Sequence, residues 1–392
     1  MPTPASVSAL IRRSPTIVRL PDRAFISVSG PQASAFLHGI LSTAVHDPPR
    51  PFFSSFLSAQ GRVLYDVFVH TPAPAGTATP STSAIRHPSY VIEYDPSALQ
   101  RSPETPPLLS LLKRFVLRAK VRVQDVTPEY DVWAAWGNAK PEVRHWKWAG
   151  SGVGEPVWDG EEDSEWPWRG SDAGALRDRR AVGMGTRRIV PKGVRPQESS
   201  THDEASPDDY LLHRIAHGVA EGAIDIPSTQ AFPMESNLDL MGGIDFHKGC
   251  YVGQELTVRT YHTGLVRKRI LPVLLQSSCA RLPTFPNSIT HPHVDIRASP
   301  THPPAEGRIP RPRGTGRLLS NIHGIGLALL RLEHVDGAAR GDLQLQITSD
   351  VQGGQESTES IYVIPWRPSG WPVPEALETE SQVSGNLPQY VP

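Results

Sequence analysis

Lys248-Gly249-Cys250-Tyr251-Val252-Gly253-Gln254-Glu255 packs one of two cysteines, two glycines, a lysine and a glutamate into eight residues. Phe232-Pro233-Met234-Glu235-Ser236-Asn237-Leu238-Asp239 stands upstream, and Arg259 and Gly264-Leu265-Val266-Arg267-Lys268-Arg269 follow. The stretch reads as a polar, glycine-punctuated turn between apolar segments. Gly249 and Gly253 permit positive φ or a close backbone approach. A cation near Cys250 favours thiolate, the reactive form of cysteine. The plainer reading is a buried cysteine acting as a small hydrophobe.

Composition narrows the classes. At 392 residues the chain has room for two or three domains. A formal charge of −1 offers no global field for nucleic acid or anionic membrane. No apolar run approaches the ~18 residues of a membrane span. Two cysteines, Cys250 and Cys279, supply neither a four-thiolate zinc site nor all ligands of a cluster. No resident metal site is therefore expected, and the absence of a disulfide framework suits a reducing compartment. The 40 prolines are about twice the usual ~5% share and gather outside the motif, which predicts insertions. Residues 1–21 hold Arg12, Arg13 and Arg19, several serines and no acid. That composition suits a transit peptide as well as an ordinary basic terminus.

Outward from the motif, apolar periodicity predicts an α+β fold. Strands are expected at 16–20, 24–28, 52–57, 63–69, 90–94, 121–126, 132–136 and 183–190. Val63, Tyr65, Val67 and Val69 alternate on one face, so as a plain strand residue Asp66 reads as exposed on the opposite one, the alternative to a role in a site. Thr105-Pro106 reads as a helix start. Ser206-Pro207-Asp208-Asp209 reads as another, with acids in the first turn. His213 and His217 lie at i, i+4 on that helix, but Arg214 stands where a zinc protease carries glutamate. Solvated helix histidines are expected instead. Segments 72–88, 141–177, 191–205 and 276–313 read as loop insertions, the second carrying tryptophans and an acidic run. His291, His293 and His302 fall in the last and give only a feeble metal signal. Strands resume from 268, and 370–392 reads as a tail.

The central motif, with Arg259 and the Gly264–Arg269 run, resembles the YgfZ/GcvT-type folate-binding family. A weaker resemblance spans about 16–140 and resumes near 206. It implies a multi-subdomain folate-binding region over 16–265 and a C-terminal β-barrel domain over 266–369. It also raises residues 1–15 as a transit peptide for the mitochondrial matrix. The chain is most similar to the members that mature mitochondrial 4Fe–4S proteins, of aconitase, lipoate and radical-SAM type. Those work with A-type iron–sulfur carriers and their target enzymes. The aminomethyltransferase of the glycine cleavage system is a more distant relative.

The resemblance assigns roles residue by residue. Glu235 matches the folate-binding glutamate, and a carboxylate suits the paired N–H donors of a pterin; as a plain residue it reads as a surface acid or helix cap. Asp66 matches the catalytic aspartate of the aminomethyltransferase. Arg259 and Lys248 would hold the glutamate tail of tetrahydrofolate, and Tyr251 would stack on the pterin or plug the core. Arg214 and Gly218 match an anchoring element. Cys250 is foreign to amine transfer and points to a redox or iron–sulfur role, one thiolate transiently ligating a cluster. Two functions stand: a folate-binding assembly factor centred on Cys250, and a tetrahydrofolate-dependent one-carbon transferase using Asp66.

Overall fold

The computed structural model describes Pro4, Val7 and residues 14–71, 87–137, 142–158, 168, 175–277, 292–301, 314–348 and 360–372. The loop reading of 72–86, Cys279, His291, His302, nearly all of 1–15 and the tail beyond 372 lie outside these residues.

In chain order the strands are β1 (Thr16–Leu20), β2 (Ala24–Ser29), β3 (Phe52–Leu57), β4 (Val63–His70), β5 (Ser89–Tyr94), β6 (Arg122–Asp125), β7 (Tyr130–Trp136), β8 (Arg144–Trp148) and β9 (Gly154–Trp158). They continue with β10 (Ala175–Arg177), β11 (Thr186–Pro191), β12 (Asp203–Glu204), β13 (Lys268–Ser277), β14 (Asp295–Pro300), β15 (Gly316–Ile322), β16 (Ile325–Arg331), β17 (Leu343–Thr348) and β18 (Ser360–Pro365). The helices are α1 (Ala33–His38), α2 (Ala98–Arg101), α3 (Leu108–Phe115), α4 (Pro207–Ala216), α5 (Gly222–Asp225), α6 (Gln254–Thr263) and α7 (Leu332–Arg340).

One sheet runs β3-β4-β5-β2-β6 and a second runs β10-β11-β7-β1-β12. Strands β13-β16-β15-β14-β17-β18 close a barrel, and closure leaves no edge to pair with another chain. Leu271, Val273, Leu318, Leu330, Leu345 and Val363 fill it. The α+β fold with a C-terminal barrel is thus borne out.

Several local expectations are corrected. β4 is buried along its whole length, so Asp66, 4% exposed, is enclosed rather than on an open face. Alternation in sequence marks only one apolar face; here the other face is also covered, with Phe68 against Phe53 at 5.1 Å. The first helix start is Pro107 rather than Thr105, because α3 begins at Leu108. Within 141–177, β8 and β9 form an antiparallel hairpin. Trp168 is fully buried, its indole donating to the Gly242 carbonyl at 3.0 Å. Within 191–205, β12 pairs parallel with β1. Within 276–313, β14 completes the barrel, its Ile296 buried. Short strands of mixed polarity among prolines carry too little periodicity to stand out.

Candidate functional site

The Cys250 loop is moored from below. Asp245 Oδ1 accepts the backbone N–H of His247 at 2.8 Å and of Lys248 at 3.1 Å, an Asx turn. Lys248 Nζ donates to the carbonyls of His38, Leu41 and Thr43 at 2.5, 2.6 and 3.2 Å. Burial lowers this ammonium to about 8, against the pull of Asp245. Its three donors are thereby committed, so Lys248 is an anchor and not a free cation for a ligand. Tyr251 is 7% exposed with its ring 4.8 Å from Lys248 Nζ. It plugs the core, the second of its two expected roles. Between these two anchors Cys250 is exposed.

Gly253 then turns the chain at φ 83°. A Cβ there would sit 2.3 Å from the Ser58 carbonyl oxygen, so only glycine fits. Gly249 does not take positive φ, and a Cβ there would meet nothing closer than 4.0 Å. Beyond Gly253, α6 starts at once, Gln254 Oε1 accepting the Tyr251 N–H at 3.1 Å. This helix went unseen in the sequence, where Gln254 and Glu255 closed the motif and the exposed Arg259 was singled out beyond it.

One flank of α6 forms a cleft of about 160 Å³ with the Phe232–Glu235 segment. Leu256, Thr257, Thr260, Leu265 and Arg267 line its other side. It is smaller than the ~300–1,000 Å³ common for ligand sites, on the scale of a ring system rather than a whole folate. Glu235 is half-buried, and among the described residues no hydrogen bond reaches its carboxylate. Burial raises its pKa, opposed by Lys268, Arg62, Arg331 and Arg269. Arg62 lies flat on Phe232, 3.4 Å from the ring centre. The structure therefore joins Glu235 to the helix of Arg259 and, through the start of that helix, to Cys250.

Asp66 belongs to different surroundings. Its two oxygens accept the Gly222 N–H at 3.2 and 3.1 Å. Around it lies a buried ion network that sequence reading missed. Glu93 takes Arg187 at 2.5 Å, Arg23 at 2.6 Å and His70 at 2.9 Å. Glu221 takes Arg180 at 2.7 Å, Arg187 at 3.3 Å and the Tyr210 hydroxyl at 2.8 Å. Asp178 pairs Arg180, and Asp225 pairs Arg214, both at 2.7 Å. Arg187 and Arg180 also cover the Phe68 ring, at 4.0 and 4.6 Å. Burial alone would raise Glu93, but Arg187 and Arg23 hold it far below the usual carboxylate range. Asp66 is the surplus acid, and burial pushes it up to about 6. The available signal was a charge inside an apolar strand: Glu93 stands between Ile92 and Tyr94.

Arg214 anchors as expected, donating to Asp225 and to the Val219 carbonyl at 2.8 Å. The expected solvated histidines, His213 on α4 and His217 at its C-terminal cap, are buried and half-buried. His213 is 4% exposed and stacks on Trp136 at 4.6 Å, with His217 4.3 Å away. Burial lowers the pKa of both. Among the described residues no three metal-ligating side chains converge.

With that geometry in place, known proteins give the context. Residues 267–373 match the family described as CAF17, C-terminal beta-barrel domain. A relative from Cryptococcus neoformans var. neoformans serotype D is 38% identical over 334 residues, 82% of this chain and 84% of its own. One from Mycosarcoma maydis is 30% identical over 399 aligned positions, 94% of this chain and 88% of its own. Both are named mitochondrial homologues of iron-sulfur cluster assembly factor IBA57. The fold is similar to the glycine cleavage system aminomethyltransferase T of Bartonella henselae, with TM-score 0.51 and 12% identity over 92% of this chain and 87% of that one. That likeness concerns architecture alone. Identity over most of both chains decides the family: this chain belongs to the mitochondrial iron–sulfur cluster assembly factor IBA57 homologues.

Proposed function

We propose that the chain assists assembly of iron–sulfur clusters on mitochondrial 4Fe–4S proteins in the matrix, with Cys250 as its functional centre. The observation that carries this reading is an exposed thiol held between a half-buried anchor, Lys248, and a buried one, Tyr251, in a member of this family. One thiolate leaves the other ligands of a cluster to a partner. That suits transient work with A-type carriers and their target enzymes, the cluster being cargo.

Reduced folate is the proposed small ligand. Glu235 fits it, since a half-buried carboxylate without a protein donor faces a ring-sized cleft beside Phe232. Its two oxygens would accept the N–H edge of the pterin. Arg259 and Arg267 stand on or near α6 for the tail carboxylates; Lys248 is already engaged. The one-carbon transferase reading depends on Asp66, whose oxygens face the Gly222 amide inside the core. The geometry therefore favours the assembly factor.

Depleting the chain from cells tests the reading. Aconitase-type activity is expected to fall while cluster-free matrix enzymes hold, and re-expression to restore it. Unchanged 4Fe–4S enzyme activity after depletion contradicts the proposal.

A further inference from the structure

The hairpin β8–β9 grips both flanks of the Cys250 loop. Glu155 Oε1 accepts the Tyr261 hydroxyl at 2.8 Å, and Oε2 meets His247 Nε2 at 3.1 Å. His247 lies just before the motif and Tyr261 near the end of α6, so one carboxylate ties together the two ends of the segment that carries Cys250. Phe246 stacks on Tyr261 at 4.2 Å, closing the same junction. At the hairpin turn, Ser151 Oγ donates to the Tyr261 carbonyl. The chain leaves α6 through Gly264 at φ 65°, where a Cβ would lie 2.0 Å from the Ser151 carbonyl oxygen. Helix end and hairpin turn are in backbone contact.

The base of the hairpin is fixed in the body of the protein. Arg144, 7% exposed, donates to the carbonyls of Gly370 at 2.9 Å and Arg180 at 3.2 Å. Its guanidinium lies over Trp146 at 4.7 Å and Trp158 at 5.7 Å. Trp146 Nε1 donates to the same Gly370 carbonyl at 3.0 Å. A rigid base, a two-strand lever and a carboxylate at the working end make a clamp.

We infer that the β8–β9 hairpin is a positioning clamp for the Cys250 loop, with Glu155 as its positioning residue. The inference deepens the reading of Cys250 as functional centre and rests on it for its purpose, though the clamp itself is measurable without it.

The test uses the full chain and amide hydrogen exchange. Glu155→Ala is expected to speed exchange of residues 246–252 by about tenfold while the melting temperature stays near that of the wild type. Tyr261→Phe removes one hydroxyl and keeps the stacking on Phe246; it is expected to give a smaller rise at the same residues. Glu155→Gln, which retains an acceptor for Tyr261, is expected to restore part of the protection. Unchanged exchange over 246–252 overturns the clamp. So does a uniform rise across the chain with Tyr261→Phe, which marks general stability instead of positioning. Loosened exchange in Glu155→Ala with full rescue of 4Fe–4S enzymes supports the clamp and counts against activity needing the Cys250 loop to be held.

Discussion

Asp66→Asn isolates the surplus acid in the buried network. Four guanidiniums, Arg23, Arg180, Arg187 and Arg214, face four carboxylates, Glu93, Glu221, Asp178 and Asp225. Asp66 is a fifth acid; among the described residues its hydrogen bond comes from the Gly222 amide, and Arg23 acts on it only through its charge. Burial lifts it from 3.8 to about 6. The folded protein therefore binds a proton that the unfolded chain has released between those two values. The sign follows: this group favours folding most at low pH, and that contribution is lost as pH rises through 6. Each pH unit is worth about 1.4 kcal/mol. From pH 5 to pH 7.5 the wild type should lose about 1.4 kcal/mol through Asp66, because the loss stops once the folded group ionises. Asn is neutral throughout, and its carbonyl oxygen still accepts from Gly222. Urea unfolding of both proteins at the two pH values reads the effect. The stability of Asp66→Asn relative to wild type should rise by about 1.4 kcal/mol from pH 5 to pH 7.5. Parallel pH dependence in the two proteins would show that Asp66 is ionised in the fold and refute the reasoning.

Other substitutions probe the remaining claims. Glu235→Ala should weaken tetrahydrofolate binding by about 1–3 kcal/mol, since pterin donors lose their acceptor; calorimetric titration showing equal affinity removes Glu235 from the site. Arg187→Met takes one of two arginines from Glu93, leaving Arg23 and His70, and one from Glu221, leaving Arg180, all in the core. It should cost about 3–5 kcal/mol in denaturant unfolding, and a neutral result would mean the network carries no net stability. Trp168→Ala should cost about 3–5 kcal/mol, where a surface loop tryptophan would cost almost nothing. Lys248→Met should leave three carbonyls without their donor, costing about 1–3 kcal/mol. Alkylation of Cys250 in that variant should change in rate as the loop leaves its moorings.

Much of this architecture was readable because burial writes a period into the chain. β1, β2, β3 and α4 announced themselves through apolar spacing, and Ser206 caps α4 in a capping box with Asp209. The Cys250 motif was readable for a different reason: unusual residues stand close together in sequence, so a contiguous match carries them. What stayed hidden depends on pairing across distance. Glu93 meets Arg187 from 94 residues away, and neither advertises the other. Lys248 looked like a free cation until the carbonyls of α1 and its following turn surrounded it. Residues 144–158 looked like a loop because the apolar side chains of β8 and β9 are three tryptophans, a proline and a single valine among charges. Their partners are Arg144 over Trp146 and Trp158, the Gly370 carbonyl, and Tyr261 of α6 at Ser151 and Glu155, contacts that no local pattern encodes. The exposed alternative for Asp66 falls for a related reason, since a strand covered on both faces shows in sequence only the face that happens to be apolar.

The central claim is that Cys250 does the work. The most direct measurement is rescue of 4Fe–4S enzyme activity in depleted cells by Cys250→Ser, with Cys279→Ser as the matched control. Sulfur to oxygen changes side-chain volume little, and Cys250 is exposed, so both variants should accumulate as folded protein. The account predicts that Cys279→Ser restores aconitase-type activity and Cys250→Ser does not. Full rescue by a stably expressed Cys250→Ser protein would contradict it.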